Sequence, residues 1–371
     1  MNKLFKSDQW TSRPLVEVAT LQRGYDLPVQ DRNAGPFPIF AANGPVGFHD
    51  TAKCEGPGVV TGRSGTIGKV QFVEGNYWPL NTSLYVTDFH GNHPKWVYYM
   101  LQSFGLEKYA QGAGVPTLNR NLVHHEPVLV PPLEEQRRIA AILDQAETLR
   151  TQRRTAMALL DSLTQSLFLD MFGDPVANPK AFSKQPLSVV AEITTGSTPG
   201  RGADGYYGGN IPWVKTTEVT GGEIHDTEEK LTEAGLKAIR GKLHPINSIV
   251  VAMYGQGQTR GRCALLCIEA SCNQACGVIR PSEEFVPRFM FAQLLLAYER
   301  LRALGRGGNQ ENLNLQLLGS FEVLVPPEVL QQTFATRIAS IEALKATHRR
   351  ALAALDALFA SLQQRAFAGQ L

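Results

Sequence analysis

This chain of 371 residues lacks long apolar runs and an excess of charge of one sign. Lysine and arginine total 36 against 34 aspartate and glutamate, which leaves a formal net charge of +2. Nucleic-acid-binding domains typically carry a clearly basic surface, so any such surface here must be a local patch. No stretch approaches the roughly 20 apolar residues of a membrane-spanning helix, and residues 1–6 lack the apolar run of a signal peptide. We therefore expect a cytoplasmic protein without membrane association.

Cysteine is also scarce, with five residues in all. Cys263, Cys267, Cys272 and Cys276 lie in one short segment but lack the tight Cys-x-x-Cys pairs that are typical of zinc sites. Their surroundings, 264–266 and 277–279, indicate two strands of a hairpin. Because residues four apart on a strand lie about 13 Å apart, these thiols are expected not to converge on one ion. The sequence therefore predicts no metal site, and the cysteine usage favours a reducing compartment.

Catalytic motifs are missing as well. Residues 62–69 resemble a phosphate-binding loop, but that motif has four residues between its first glycine and Gly-Lys, followed by Ser or Thr. Here five residues separate Gly62 from Gly68, and Val70 follows Lys69. No glycine-rich cofactor loop follows a plausible strand, and no amino-methyltransferase motif is present. We predict that the chain has no catalytic residue and binds no cofactor itself.

A long internal repeat is the most informative feature that is present. Residues 128–132, Val-Leu-Val-Pro-Pro, return as 323–327, and Gln136 returns as Gln331 at the same offset of 195. Pro14-Leu15 returns as Pro186-Leu187 at a different offset, 172. This period exceeds the roughly 20–50 residues of solenoid repeats, so a whole domain with a following helix is duplicated. The globular parts have diverged in length and content, whereas the tails that follow each Val-Leu-Val-Pro-Pro segment match at a constant offset. This is expected of a scaffold that presents two different recognition surfaces.

Both tails have the pattern of a long helix. Apolar residues recur at steps of three and four from Ile139 to Leu167, and again from Phe334 to Leu362, which is typical of a heptad seam. The seams include Leu149, Leu163, Leu344 and Leu358. Each helix would span about 40 residues, or roughly 60 Å, and the two most simply pack against each other. If they pair antiparallel about a pseudo-two-fold axis, Arg153 and His348 are expected to form a polar layer that sets the register. The alternative is that both side chains reach water.

The globular parts have the pattern of short strands, turns and brief helices. A hairpin is predicted around Asn43-Gly44, and a buried helix is predicted over 96–109.

Polar, glycine-rich loops are the candidate binding elements. Glycine lets backbone amides approach a phosphate, arginine and lysine neutralise its charge, and glutamine can read base edges. The DNA-binding candidates are Arg63, Ser64, Thr66 and Lys69 in loop 62–69; Thr117, Asn119 and Arg120 in loop 112–120; Lys215, Thr216 and Thr217; Gln256, Gln258, Arg260 and Arg262 in loop 255–262; and Asn309, Gln310 and Asn312 in loop 306–312. The alternatives are that the glycine-rich loops are tight turns between strands and that Asn119 caps a short helix.

Five further segments of the sequence together resemble one protein family. They are Phe37–Gly47, Val128–Gln136 with Ile139-Ala140, Met171–Pro175, Ile211–Val214 and Asn273-Gln274. Their combination resembles the DNA-specificity subunit of type I restriction-modification systems. One departure is that Glu328-Val329-Leu330 precedes Gln331, where the first copy has Leu133-Glu134-Glu135 before Gln136. Contacts with partner subunits at these two points are therefore expected to differ.

The resemblance implies an α/β (α+β) fold with two tandem target-recognition domains, each followed by a long helix, and with the two helices paired as an antiparallel coiled coil of pseudo-two-fold symmetry. The expected divisions are target-recognition domains 1–130 and 186–325, spacer helices 131–173 and 326–371, and a linker 174–185. The domains would each read one half of a bipartite, asymmetric sequence in double-stranded DNA, and the helices would set the spacer.

The resemblance also implies a non-catalytic subunit. Its partners would be two methyltransferase subunits and the motor-nuclease restriction subunits, which would bring S-adenosylmethionine, ATP and Mg²⁺. Two alternatives remain open, namely the specificity subunit of another modification-based defence complex and a coiled-coil adaptor that does not bind DNA.

Overall fold

The computed structural model of the protein describes residues 9–112, 114–202, 205–255, 257–305 and 312–371. These residues form two compact units. The first contains the described residues up to Thr155 together with Arg350–Leu371, and the second contains Ala156–Arg349. Each unit therefore combines one globular domain with a part of both long helices. The partition predicted from the sequence separates the helices from the domains, and it stays a prediction.

The first unit is built on an antiparallel sheet. Its strands are β1 Thr11–Pro14, β2 Thr20–Arg23, β3 Phe37–Ala41, β4 Gly44–His49, β5 Gly58–Gly62, β6 Val70–Val73, β7 Trp78–Pro79, β8 Ser83–Asp88, β9 Ala110–Gln111, β10 Thr117–Leu118 and β11 Pro127–Val130. Its helices are α1 Pro94–Ser103, α2 Arg120–His124 and the beginning of α3 Leu133–Phe172. The central sheet has the order β2-β8-β5-β6.

Two local predictions for this unit are confirmed. Ala41 pairs with Gly44 at the turn between β3 and β4, so the hairpin forms around Asn43-Gly44. The buried helix predicted over 96–109 is α1, whose Trp96 is fully buried. It ends early because Gly105 takes a left-handed conformation with φ of 74°, and a short 3-10 helix, Leu106–Tyr109, follows.

The second unit repeats this plan with different connections. Its strands are β12 Lys184–Pro186, β13 Ile193–Thr195, β14 Tyr207–Val214, β15 Glu223–Ile224, β16 Glu229–Leu231, β17 Ile249–Ala252, β18 Cys263–Leu266, β19 Ser271–Cys272, β20 Cys276–Ile279 and β21 Glu322–Leu324. Its helices are α4 Leu187–Val190, α5 Glu233–Ala238, α6 Pro287–Leu296, α7 Tyr298–Ala303, α8 Leu315–Gly319 and the beginning of α9 Glu328–Phe367. The central sheet has the order β13-β20-β17-β18-β15, of which the first four strands match β2-β8-β5-β6.

The hairpin predicted from the cysteine-rich segment is wrong. β18 and β20 do not pair with each other, because each pairs with β17, which lies between them. The chain leaves the sheet after β18 and adds β19 to a second sheet beside β14. A turn after Cys272 then brings its thiol against that of Cys276, and this contact together with nearby His244 lowers the pKa of Cys272. The four-residue spacing therefore does not separate these two thiols.

The two long helices pack antiparallel within each unit. In the first unit Arg138 of α3 donates to the carbonyl oxygen of Leu371 at 2.7 Å, while Arg150, further along α3, contacts Asp356 at 2.6 Å. In the second unit Asp161 of α3 accepts from Lys345 of α9 at 2.8 Å.

The ion pairs of the two units are copies of each other. Arg150 and Lys345 are 195 residues apart, as are Asp161 and Asp356, so each pair joins a cation from one copy to an aspartate from the other. Lys345 is 8% exposed. Burial alone would lower its pKa, but Asp161 and Glu342 outweigh this and hold the pKa above its ordinary value. The same cation–aspartate pair thus recurs at equivalent points of the two units, and the polar layer of Arg153 and His348 stays a prediction.

The predicted seam is wrong at several positions. Leu149, Leu163, Leu344 and Leu358 are 44–48% exposed. Leu143 and Phe168, which the seam omits, are fully buried. The reason is that the outer turns of each long helix pack against a globular domain as well as against the other long helix. The buried residues therefore do not lie on a single heptad stripe.

The repeated glutamines attach each long helix to its own domain. Gln136 accepts a hydrogen bond from the amide of His93 at 2.8 Å and donates to the carbonyl of Pro131 at 3.0 Å. Gln331 accepts from the amide of Val286 at 2.9 Å and donates to Pro326 at 2.8 Å. Both side chains are at most 2% exposed. The bonded amides immediately precede α1 and α6, so each glutamine caps the helix on which its long helix rests.

We expect the Gln331→Ala substitution to cost about 1–3 kcal/mol of unfolding free energy, because it leaves the buried amide of Val286 without its acceptor. Urea unfolding of the full chain measures this loss. Gln332→Ala is the matched control, since Gln332 is the adjacent residue and is exposed; equal effects of the two substitutions would contradict the anchoring role.

The fold is therefore α/β with two tandem domains and long helices, as predicted. None of the helices within the described ranges combines the length and the apolar character needed to cross a bilayer.

Candidate nucleic-acid interface

The two candidate loops of the first unit form one surface. Loop 63–69 connects β5 to its antiparallel neighbour β6, so the alternative that it is a turn between strands is confirmed. The amide of Gly65 donates to the carbonyl of Pro116 at 2.9 Å, and the amide of Leu118 donates to Arg63 at 2.8 Å. A β-bridge also joins Ser64 to Thr117. Residues about 50 positions apart in sequence are thereby held together.

A groove of about 530 Å³ opens beside these joined loops. Its lining residues are Arg23, Arg63, Leu84, Gln111, Thr117, Leu118, Asn119 and Arg120. Three guanidinium groups and three neutral polar side chains thus share one concave surface. Phosphate oxygens and base edges both accept from guanidinium groups, so this set is chemically suited to a nucleic acid.

Backbone contacts orient two of these arginines. Arg63 donates to the carbonyl of Asn81 at 3.1 Å, and Arg120 donates to the carbonyl of Leu21 at 3.3 Å. A guanidinium has five N–H donors, so these contacts position each group without using its full capacity. Asn119 accepts from the amide of Asn121 at 3.1 Å, which confirms that it caps α2.

The remaining candidates of this unit lie outside the groove lining. Lys69 is exposed and donates to the carbonyl of Asn43 at 2.6 Å. Thr66 is exposed in the same loop, and Ser64 is half-buried. Sequence reasoning missed Arg23 and Gln111, which reach the groove from β2 and β9. One feature of the sequence could have identified Arg23: it directly precedes Gly24, which recurs in the second copy of the repeat as Gly196.

In the second unit the equivalent loop connects β17 to β18. The amide of Leu313 donates to the carbonyl of Met253 at 3.0 Å, which matches the bond between Leu118 and Arg63. Arg262 donates to Gln258 at 3.0 Å, and the backbone oxygen of Gln258 accepts from Tyr298 at 2.8 Å.

The other candidates from these loops have different surroundings. Arg260 is only 5% exposed, so a DNA contact would require that side chain to move. Asn312 is exposed. Gln256, Asn309 and Gln310 lie outside the described residues. The DNA-binding role of all these residues stays a prediction.

The third candidate segment of this unit is held by acidic neighbours. Lys215 contacts Glu228 at 2.9 Å and Glu229 at 3.0 Å. These two bonds raise the pKa of Lys215. A phosphate would have to compete with both carboxylates for this ammonium group. Thr216 is half-buried and Thr217 is exposed.

Comparison with known proteins places this architecture in a family. The model of the type I restriction-modification DNA specificity domain matches residues 7–157 and 179–356, which together make up most of the chain. The protein therefore belongs to the type I restriction-modification DNA specificity family. The two matched segments correspond to the two copies of the internal repeat.

Individual relatives agree with this assignment. The Escherichia coli type I restriction enzyme EcoprrI specificity subunit is 31% identical over 114 residues, which are 30% of this chain and only 28% of that protein. The solved S subunit of the type I restriction-modification system from M. genitalium superposes with a TM-score of 0.66 at 15% identity, over 99% of this chain and 97% of that chain. A solved structure concerned with complex assembly and conformational transition of the type I R-M system gives a TM-score of 0.59 at 15% identity, with both chains fully covered. At such identities the structural matches establish the fold.

Proposed function

We propose that this chain is the sequence-reading subunit of a type I restriction-modification complex and recognises a bipartite, asymmetric target in double-stranded DNA. Each globular domain would read one half of the target, and the long helices would set the unread spacer. The arginine-lined groove of the first unit carries this proposal, because it joins two loops on one surface suited to phosphate and base contacts. The divergence of the equivalent loops in the second unit supports a different second half-site.

Other subunits would supply the chemistry. The chain would direct two methyltransferase subunits and the motor-nuclease restriction subunits to the target, without a catalytic residue of its own. S-adenosylmethionine, ATP and Mg²⁺ would be bound by those partners. The modest net charge of +2 fits such an assembly, because partners can share the phosphate contacts that supply much of the affinity for DNA. A cytoplasmic location follows from this role.

The test is to co-express the chain with its methyltransferase subunit and to map adenine methylation across a genome by single-molecule sequencing. We expect a split motif, with two short specified halves around a spacer of fixed length. Exchanging residues 14–127 for the corresponding domain of a relative should change one half and leave the other half and the spacer unaltered. Methylation of an undivided site, or an intact complex that modifies nothing, would count against the proposal.

A further inference from the structure

Three potential metal ligands meet at one edge of the second unit's central sheet. β15 pairs in parallel with β18, with Glu223 opposite Leu265 and Ile224 opposite Leu266. The amide of Cys267 then donates to the carbonyl of Ile224 at 2.9 Å. This register holds Cys267 beside β15. Glu223 and His225 are two residues apart and project to the same side of the extended chain.

The ligand atoms of this group are already close together. One atom from each of Glu223, His225 and Cys267 lies within 4.8 Å of the other two. Nε2 of His225 is 3.0 Å and Sγ of Cys267 is 3.6 Å from the same glutamate oxygen, Oε2. In a tetrahedral zinc site, metal–ligand bonds of about 2.0–2.3 Å place the ligand atoms roughly 3.3–3.6 Å apart. Only small side-chain movements would be needed to surround an ion.

A neighbouring arginine orients the shared carboxylate. Arg288 of α6 pairs with Oε1 of Glu223, while Oε2 faces His225 and Cys267. Burial would raise the pKa of Glu223, but the pair with Arg288 outweighs it and holds the pKa below its ordinary value. The carboxylate thus has one oxygen held by Arg288 and presents the other to an ion, an arrangement in which an outer hydrogen bond fixes a ligand.

We propose that Oε2 of Glu223, Nε2 of His225 and Sγ of Cys267 form a three-ligand site for zinc or a similar thiol-binding divalent cation. The site is accessible, because the side chain of His225 is 71% exposed. Glu223 and His225 also line a cavity of about 490 Å³, which leaves room for water as a fourth ligand. Burial raises the pKa of the Cys267 thiol to about 11, so binding must displace the thiol proton, which passes to solvent. No atom changes oxidation state.

The position of the site suggests what the ion would do. Cys267 directly follows β18, and β15 is the edge strand of the sheet and only two residues long. An ion held by both segments would fasten this short edge strand to its neighbour. The expected effect is structural, and it is independent of DNA binding by the chain.

The test uses the full-length protein after treatment with a chelator, without DNA. Titration with Co²⁺ should give the ultraviolet absorption of a cobalt–thiolate bond, and Zn²⁺ should abolish this absorption by displacement. Cys267→Ser should remove the cobalt–thiolate absorption, and His225→Ala should weaken Co²⁺ binding at least about tenfold. Cys54→Ser is the matched control, because Cys54 is a half-buried free thiol in the first unit, and it should leave the titration unchanged.

Thermal unfolding gives a second readout. Zn²⁺ should raise the Tm of the unaltered chain and of Cys54→Ser, but not of Cys267→Ser, because an ion that binds only the folded state stabilises it. No cobalt–thiolate absorption in the unaltered chain would overturn the site. Absorption that persists undiminished in Cys267→Ser would also overturn it, because the ion would then be bound by other thiols.

Discussion

Replacing Arg23 and Arg120 together with alanine is expected to lower the affinity of the assembled complex for its specific DNA by about 30-fold or more. The two arginines line one groove from different elements, β2 and α2. Loss of a base-reading arginine typically costs about 1–3 kcal/mol, and about 1.4 kcal/mol corresponds to a factor of ten. If one arginine contacts a phosphate instead, the slope of log affinity against log salt should become shallower by about one.

Fluorescence anisotropy with a labelled duplex at several salt concentrations distinguishes these outcomes. Arg13→Ala is the control, because Arg13 is exposed on β1 of the same unit and does not line the groove. It removes one positive charge from the same unit, where the double substitution removes two. An effect of the double substitution no larger than that of Arg13→Ala would show that the groove does not contact DNA.

Phe168→Ala is expected to cost about 3–5 kcal/mol of unfolding free energy, the range for truncating a buried aromatic side chain. Phe168 is fully buried within the second unit. Its ring centroid lies 5.0 Å from that of Phe172 and 5.6 Å from those of Phe289 and Phe334. The substitution therefore opens a cavity at the point where both long helices meet α6.

Urea unfolding followed by circular dichroism measures this loss. Leu159→Ala is the control, because Leu159 lies on the same helix and is 64% exposed, and exposed substitutions usually change stability by less than about 0.5 kcal/mol. If the two units unfold separately, the transition of the second unit should shift. Similar effects of both substitutions would contradict the central role of the aromatic cluster.

The sequence predicted the features that depend on local pattern or on exact repetition. The Asn43-Gly44 hairpin and the long helices follow from periodicity and turn chemistry. The repeat also identified Gly24 and Gly196 as equivalent positions, and the structure shows why both are glycine. A Cβ at Gly24 would lie 2.3 Å from the carbonyl oxygen of Leu80, and one at Gly196 would lie 1.7 Å from that of Cys272. Both positions exclude a side chain because another backbone segment passes too close.

Features set by distant neighbours were not predictable in the same way. Exposed Leu149 and buried Phe168 differ because of what packs beside them, which a heptad pattern does not encode. Arg23 and Gln111 join the groove only through the pairing of strands far apart in sequence. Glu223 and His225 escaped notice for a similar reason, since the parallel pairing of β15 and β18 brings them to Cys267 from about 40 residues away.

The way in which the chain is divided between the two units has a consequence for the exchange of domains by recombination. The last 22 residues of the chain, Arg350–Leu371, belong to the same compact unit as the first globular domain, where Phe359 and Ala366 enter its core. A recombination event that replaces the first domain alone must therefore supply a surface that fits these resident helix residues. Insertions within the domains leave that fit intact, whereas a shift in either helix disturbs it. Such a constraint predicts domains that differ in length and tails of equal length, and the constant offset of 195 between the two tails agrees with it.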